Sequence, residues 1–153
     1  MGLATDKLFY DILKADTELM EAVGDRLYNT VIGKPEVDEL NEPVPYIIVM
    51  FAGLNNDETT KDDPYESDTD TVNIEIELAA DNFDELTDLA KHIRKTIHDA
   101  MVEHDGEGLD YPYDYRFSTS DKTYNYIKPC YGIILNYSCS VENHLNEDDD
   151  EQD

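Results

Sequence analysis

The sequence predicts a single α+β domain in which two main helices pack on a mostly antiparallel or mixed β-sheet of about four to five strands. The chain has 153 residues and 40% hydrophobic content, enough for one core and too little for two domains. Apolar residues recur at helical spacing in two segments and with a period of two in several others. The strand segments adjoin one another, with the two helices interspersed, which favours an α+β arrangement. We expect this domain to span residues 1–145.

The first helix is predicted over residues 6–23, with a break and a new N-cap at Asp16-Thr17 and a glycine stop after it. Strand candidates follow at Arg26–Ile32 and Pro45–Ala52, with an acidic loop between them. The second candidate is apolar on both faces. This pattern indicates a central strand that is covered on both sides or lies in a subunit contact.

The second half of the chain contains an acidic segment, three further strand candidates and the second predicted helix. Residues 53–70 carry seven acids and one lysine without apolar periodicity, and they are predicted to form a long loop or a hairpin extension. A strand with one buried face is predicted at Val72–Leu78, and an amphipathic helix at Phe83–Ala100. Two further strands are predicted at Tyr113–Ser118 and Tyr131–Val141.

The chain is strongly acidic, with 37 Asp and Glu against 11 Lys and Arg and a formal net charge of −26. Six of the acids lie in the final stretch 147–153, so residues 146–153 are predicted to be a disordered acidic tail. Such a charge disfavours binding to nucleic acid, which requires clustered cations. In molar salt the screening length falls to roughly 3 Å, so self-repulsion largely disappears. The composition resembles that of halophilic proteins; an acidic mesophilic protein is the alternative.

Two cysteines, Cys130 and Cys139, are separated by nine residues within one predicted strand region. An odd separation on a regular strand directs the side chains to opposite faces, so we expect two free thiols and no disulfide. The N-terminal segment has no secretory pattern, and no apolar run approaches membrane-spanning length. We therefore expect a soluble protein that is made in the cytoplasm.

Two groups of residues are candidates for metal binding, and neither has the spacing of a known motif. The first group is His98, Asp99, Glu103 and His104. The second is Asp57, Asp62, Asp63, Asp68 and Asp70. The first matches no zinc pattern and the second lacks EF-hand spacing, so ordinary polar residues are expected in both. No serine lies in a nucleophile motif, and the sequence predicts no catalytic residue, no metal and no cofactor.

A basic stripe is the main cationic feature of this acidic chain. It consists of Lys91, Arg94, Lys95 and His98, which share one face of the second predicted helix. One interpretation is that these bases complement the helix dipole, since acids lie early in the same helix. The other is that the stripe contacts an acidic surface of a neighbouring subunit.

Three segments together resemble the tail terminator or tail completion (head-tail joining) proteins of long-tailed phages and haloarchaeal tailed viruses. They are KLFYDILKADTELMEAVGDRLYN, Val44–Val49, and the strand from Thr71 with its Asn82–Glu85 turn and following helix. The resemblance covers Leu3–Met101.

The resemblance implies a non-enzymatic structural protein of the virion neck, assembled in the host cytoplasm as a homomeric ring, usually a homohexamer. Such a ring terminates the tail tube and joins it to the head connector or adaptor protein. Its implied partners are therefore other copies of itself, the tail tube protein and the connector. DNA passes through the lumen without specific binding, and an acidic lumen suits that passage because it repels DNA. No membrane is involved.

Other hypotheses remain open at this point. Another neck ring protein, such as a head completion or adaptor protein, has a similar size. An acidic DNA mimic would place carboxylates at phosphate spacing on one face, whereas here they are spread over loops, tail and helices. A calcium-dependent module would gain stability from calcium and little from potassium chloride.

Overall fold

The computed structural model describes residues 2–32, 43–57, 65–104 and 111–145. Within these ranges the chain forms three α-helices and six β-strands, after a short 3₁₀ turn. In chain order the elements are α1 (Thr5–Lys14), α2 (Thr17–Val23), β1 (Leu27–Val31), β2 (Tyr46–Asn56), β3 (Thr69–Ala80), α3 (Phe83–Glu103), β4 (Tyr113–Thr119), β5 (Thr123–Asn125) and β6 (Cys130–Glu142). The predicted single α+β domain is confirmed. None of the described helices is both long enough and apolar enough to cross a membrane.

The strands form one open, mixed sheet in the order β1-β2-β3-β6-β4, with β5 also paired to β6. β1 runs parallel to β2, and the remaining pairs are antiparallel. One edge of the sheet is therefore β1, and the other is shared by β4 and β5. The sequence did not predict β5, because its three residues are mostly exposed and show no apolar alternation.

The main core lies on the face of the sheet that the three helices cover. On β3, the side chains from Val72 to Leu78 alternate between buried and partly exposed, as the period of two predicts. All three helices add buried apolar side chains to the same core. The rings of Phe9 and Tyr137 meet there edge to face, with their centroids 5.3 Å apart. Burial of this shared face is what holds the helices on the sheet.

The first half of β2, Tyr46–Met50, is buried on both of its faces within a single chain. Ile47 and Val49 belong to the main core, whereas Ile48 and Met50 belong to a smaller apolar cluster. Among the described residues no helix contributes to that smaller cluster. The sequence-based expectation of a strand covered on both sides is confirmed.

The two cysteines lie on opposite faces of the sheet, as their odd separation predicts. Cys139 is buried in the main core and Cys130 in the smaller cluster, and both are free thiols. Burial raises the pKa of the Cys139 thiol to about 12. This thiol therefore stays protonated and unreactive at neutral pH.

The predicted break in the first helix is confirmed. The Asp16 carboxylate caps α2 by accepting a hydrogen bond from the Leu19 backbone nitrogen at 3.1 Å. Gly24 ends α2 in the left-handed conformation, with φ of 58°. The chain can then turn directly into β1.

Both ends of the acidic segment 53–70 belong to β-strands, so the predicted hairpin extension is found there instead of a loop. β2 continues to Asn56 and β3 begins at Thr69, so both strands are longer than predicted. Residues 33–42, 58–64 and 105–110 lie outside the described ranges. The tail 146–153 also lies outside them, and its disorder stays a prediction.

Candidate assembly surface

Helix α3 positions the basic stripe. Its buried side chains, which face the sheet and α1, are Leu86, Leu89, Ile93, Ile97 and Met101. The four stripe residues lie beside this apolar row, and all of them are exposed. The Asn82 side chain fixes the start of the helix by accepting a hydrogen bond from the Glu85 backbone nitrogen at 2.8 Å. The rotation of α3 on its core therefore directs the stripe outward, along the edge strand β4.

Two stripe residues contact β4. The Arg94 guanidinium lies over the Phe117 ring, 4.2 Å from its centroid, in a cation–π contact. His98 Nδ1 is hydrogen bonded to the Tyr115 hydroxyl. These contacts orient the two side chains on the protein surface without burying them.

The other two stripe residues differ in their electrostatic surroundings. Lys95 pairs with Asp99 at 2.9 Å, but both side chains are largely exposed, and such surface pairs contribute little to stability. Lys91 and Arg94 form no salt bridge with any described residue. The described neighbours thus leave much of the stripe's positive charge uncompensated.

Lys122 extends the stripe, which the sequence alone did not predict. Its ammonium donates a hydrogen bond to the Thr87 hydroxyl at 3.0 Å and lies 4.0 Å from the Phe83 ring centroid. Because Lys122 is 35 residues from Thr87, no helical spacing connects it to α3. Lys122 therefore adds a cation beside the first turn of α3, a turn that itself carries Asp84 and Glu85.

The predicted metal candidates are not assembled into a site. The described residues contain no group of three or more His, Cys, Asp or Glu side chains placed to hold a metal ion. His98 is hydrogen bonded to the Tyr115 hydroxyl, and the His104 ring stacks on the Tyr111 ring with centroids 4.2 Å apart.

The described acids of the segment 53–70 instead support the base of the hairpin. Asp70 is buried and accepts hydrogen bonds from Asn56 at 2.8 Å and from Asn143 at 3.2 Å. Asp57 accepts one from Thr71 at 2.7 Å. Asp68 has one buried carboxylate oxygen without a partner among the described residues. The remaining candidates, Asp62 and Asp63, lie outside the described ranges.

Comparison with known proteins adds the following findings. Residues 8–128 match the family model described as Tail completion protein gp17. No curated protein matches the chain. A chain of the solved structure "Virion of native gene transfer agent (GTA) particle" is similar, with a TM-score of 0.53 and 19% identity. The match covers 88% of this chain and 92% of that chain. At that identity the likeness shows a shared fold alone.

Proposed function

The chain belongs to the Tail completion protein gp17 family, and from this premise we propose that it is a structural virion protein that completes the tail of a tailed virus or phage-like particle. The match of residues 8–128 carries this proposal, since it spans most of the chain. It agrees with the resemblance inferred from the sequence. We propose a structural role and no enzymatic one.

In finer detail, the protein forms a homomeric ring of about six copies in the virion neck. The ring terminates the tail tube and joins it to the head connector or adaptor protein, after assembly in the host cytoplasm. The open sheet supports this proposal, because its two edges, β1 on one side and β4 with β5 on the other, differ in sequence and surroundings. Contacts between two different surfaces of one chain generate a ring when the rotation between copies closes, and a filament when it does not.

The acidity of the chain suits a ring through which DNA passes. With a net charge of −26, a lumen lined by carboxylates repels the phosphate backbone and prevents it from adhering. DNA therefore moves through the ring without specific binding. The same charge favours stability in high salt, where self-repulsion is screened.

The basic stripe of Lys91, Arg94, Lys95 and His98 contacts an acidic surface of the neighbouring copy. Its exposure and the two cations without a salt bridge support this assignment. A test is Lys95→Glu, with Lys7→Glu as the matched control. Each lysine forms an exposed i,i+4 pair with an aspartate, at 2.9 Å in both cases, but Lys7 lies on α1. We expect the stripe variant to weaken self-association and the control to leave it unchanged.

The main test combines light scattering with negative-stain imaging in molar potassium chloride, with and without purified tail tubes. Rings of about six subunits that cap tube ends are the expected result. Rings that bind head connectors and ignore tubes would identify a different neck ring. A strict monomer that ignores tubes and competes with DNA for a basic protein would overturn the proposal and favour a DNA mimic.

A further inference from the structure

Arg94 is an exposed cation that the fold holds in one position. Its guanidinium lies over the Phe117 ring, 4.2 Å from the centroid. That ring packs in turn against the ring of Tyr137, with centroids 5.1 Å apart, and Tyr137 is buried in the core. The charged end of the side chain is therefore supported by β4 and the core beneath it. A group that is ordered before binding loses less conformational entropy when a partner contacts it.

The acids closest to Arg94 do not neutralise it. Asp88 and Asp99 lie six and five residues away on α3, and neither spacing brings two helical side chains together. Asp99 pairs with Lys95 at 2.9 Å, and Arg94 forms no salt bridge with any residue of the described ranges, Asp114 of β4 included. A guanidinium presents a planar fork of N–H donors that matches a carboxylate. Arg94 is therefore positioned to bind a carboxylate from outside the chain.

Helix α2 exposes two carboxylates for which the described residues supply no cation. Glu18 and Glu21 lie three residues apart on its exposed face, and neither forms a salt bridge within the described ranges. Lys14 and Arg26 are the cations nearest in sequence, but their hydrogen bonds go to a tyrosine hydroxyl and a backbone carbonyl. Residues 14–26 contain four acids and these two bases, so negative charge is in excess there.

Arg94 and the two glutamates lie on opposite sides of α3. This helix directs His92 and Thr96 toward Asp16, the cap of α2. It directs Arg94 the other way, toward Phe117 on β4. The strand order also places β4 four strand spacings, roughly 19 Å, from β1, the strand that follows α2. A contact between these two surfaces therefore joins two copies of the chain.

We propose that Arg94 of one copy binds the carboxylates of Glu18 and Glu21 of the next copy. Because the two surfaces differ, the contact is heterologous, and each copy offers one surface of each kind to two neighbours. An ion pair enclosed in such a contact is screened by molar salt much less than an exposed pair is. The proposal rests on the ring assembly of the proposed function, and it identifies the stripe residue that anchors the contact and the acids that receive it.

The test uses two charge-reversal variants of the full chain, Arg94→Glu and Glu18→Arg/Glu21→Arg. Light scattering in molar potassium chloride is expected to show that each variant alone loses the wild-type oligomer, with self-association weakened about a hundredfold or more. A third variant carries all three substitutions in one chain and so restores opposite charges across every contact. It should assemble like the wild type.

Arg116→Glu is the matched control, because Arg116 is an exposed arginine of β4 whose side chain lies on the sheet face opposite Phe117. It should assemble like the wild type. Arg94→Lys keeps the charge but removes the fork, so it should weaken self-association by only about tenfold. Urea unfolding of all variants, measured under conditions in which they are monomeric, separates lost contact from lost folding.

The outcomes distinguish this inference from ring assembly itself. A wild type that does not self-associate overturns the ring and this inference with it. If the wild type forms rings and Arg94→Glu forms them equally well, the ring stands and Arg94 is not its anchor. Rings of Arg94→Glu that no longer cap tail tubes would assign Arg94 to the tube protein instead. If Arg94→Glu loses the rings and the triple variant does not recover them, Glu18 and Glu21 are not its partners.

Discussion

Replacing Asp16 with alanine should lower the free energy of unfolding by about 2–4 kcal/mol, because one carboxylate both caps α2 and connects it to α3. The carboxylate accepts hydrogen bonds from the Leu19 backbone nitrogen at 3.1 Å, the Thr96 hydroxyl at 2.6 Å and His92 Nε2 at 2.8 Å. Thr96 and His92 belong to α3, 80 and 76 residues away. The bonds therefore connect two helices that are distant in sequence.

The magnitude follows from these bonds. Loss of an N-cap costs about 1 kcal/mol. The Thr96 and His92 bonds both end on Asp16 Oδ2, so together they count as one contribution of about 1.5–3 kcal/mol from hydrogen bonding to a charged acceptor. The side chains of Asp16 and His92 are only 19% and 28% exposed, so solvent screens their interaction incompletely.

The same cluster makes part of the stability dependent on pH. Burial raises the pKa of the Asp16 carboxyl, but the hydrogen bonds from Thr96, Leu19 and His92 together outweigh burial and lower the pKa below its ordinary value of 3.8. A lowered pKa means that this stabilisation is fully present above pH 3.8 and is lost as the pH falls through the folded-state pKa. The stability difference between wild type and Asp16→Ala should therefore shrink in acid.

Urea unfolding in molar potassium chloride at several pH values measures these differences. Asp16→Asn is the matched comparison, since it keeps an oxygen that can cap α2 but removes the charge. It should cost less than alanine. Thr96→Val should cost about 1–2 kcal/mol by removing one bond. A loss below about 0.5 kcal/mol for Asp16→Ala, or a difference that does not change in acid, would refute this account.

The remaining predictions use the same unfolding assay. Tyr137→Phe should stabilise the protein by about 1 kcal/mol, because the buried Tyr137 hydroxyl has no hydrogen-bond partner among the described residues; a clear loss would contradict this. Ile76→Ala should cost about 2–5 kcal/mol as a core cavity, since Ile76 is fully buried. Gly24→Ala should cost about 1–2 kcal/mol, since φ is 58° and a Cβ would lie 2.8 Å from Arg26 Nη1. At low salt the wild type should lose stability; equal stability would exclude the halophile interpretation.

Individual helices and strands were predictable because the apolar spacing and the capping residues of each one reflect which of its sides is buried. The alternation on β3 and β6, the apolar stripe of α3, the Asp16 cap and the two-sided burial of β2 are properties of short segments. The two cysteine orientations follow from the period of a strand in the same way. Among the strands and α-helices of the described ranges, only β5 was missed, since its three mostly exposed residues show no apolar alternation.

The candidate surface was predictable only in part. Helical spacing located Lys91, Arg94, Lys95 and His98 on one face of α3, which the structure bears out. The same spacing says nothing about Lys122 or about the Phe117 ring that supports Arg94.

The sequence alone was sufficient for the charge, the buried faces of β3, β6 and α3, and a pattern of segments that indicates the family. Tertiary structure alone decided that β1 lies parallel to β2 at one edge while β5 lies at the other. It also brought Asp16 to His92 and Lys122 to Thr87. This difference arises because periodicity reflects which side of a segment faces the core, whereas strand order and contacts between distant residues are selected by packing of the whole chain.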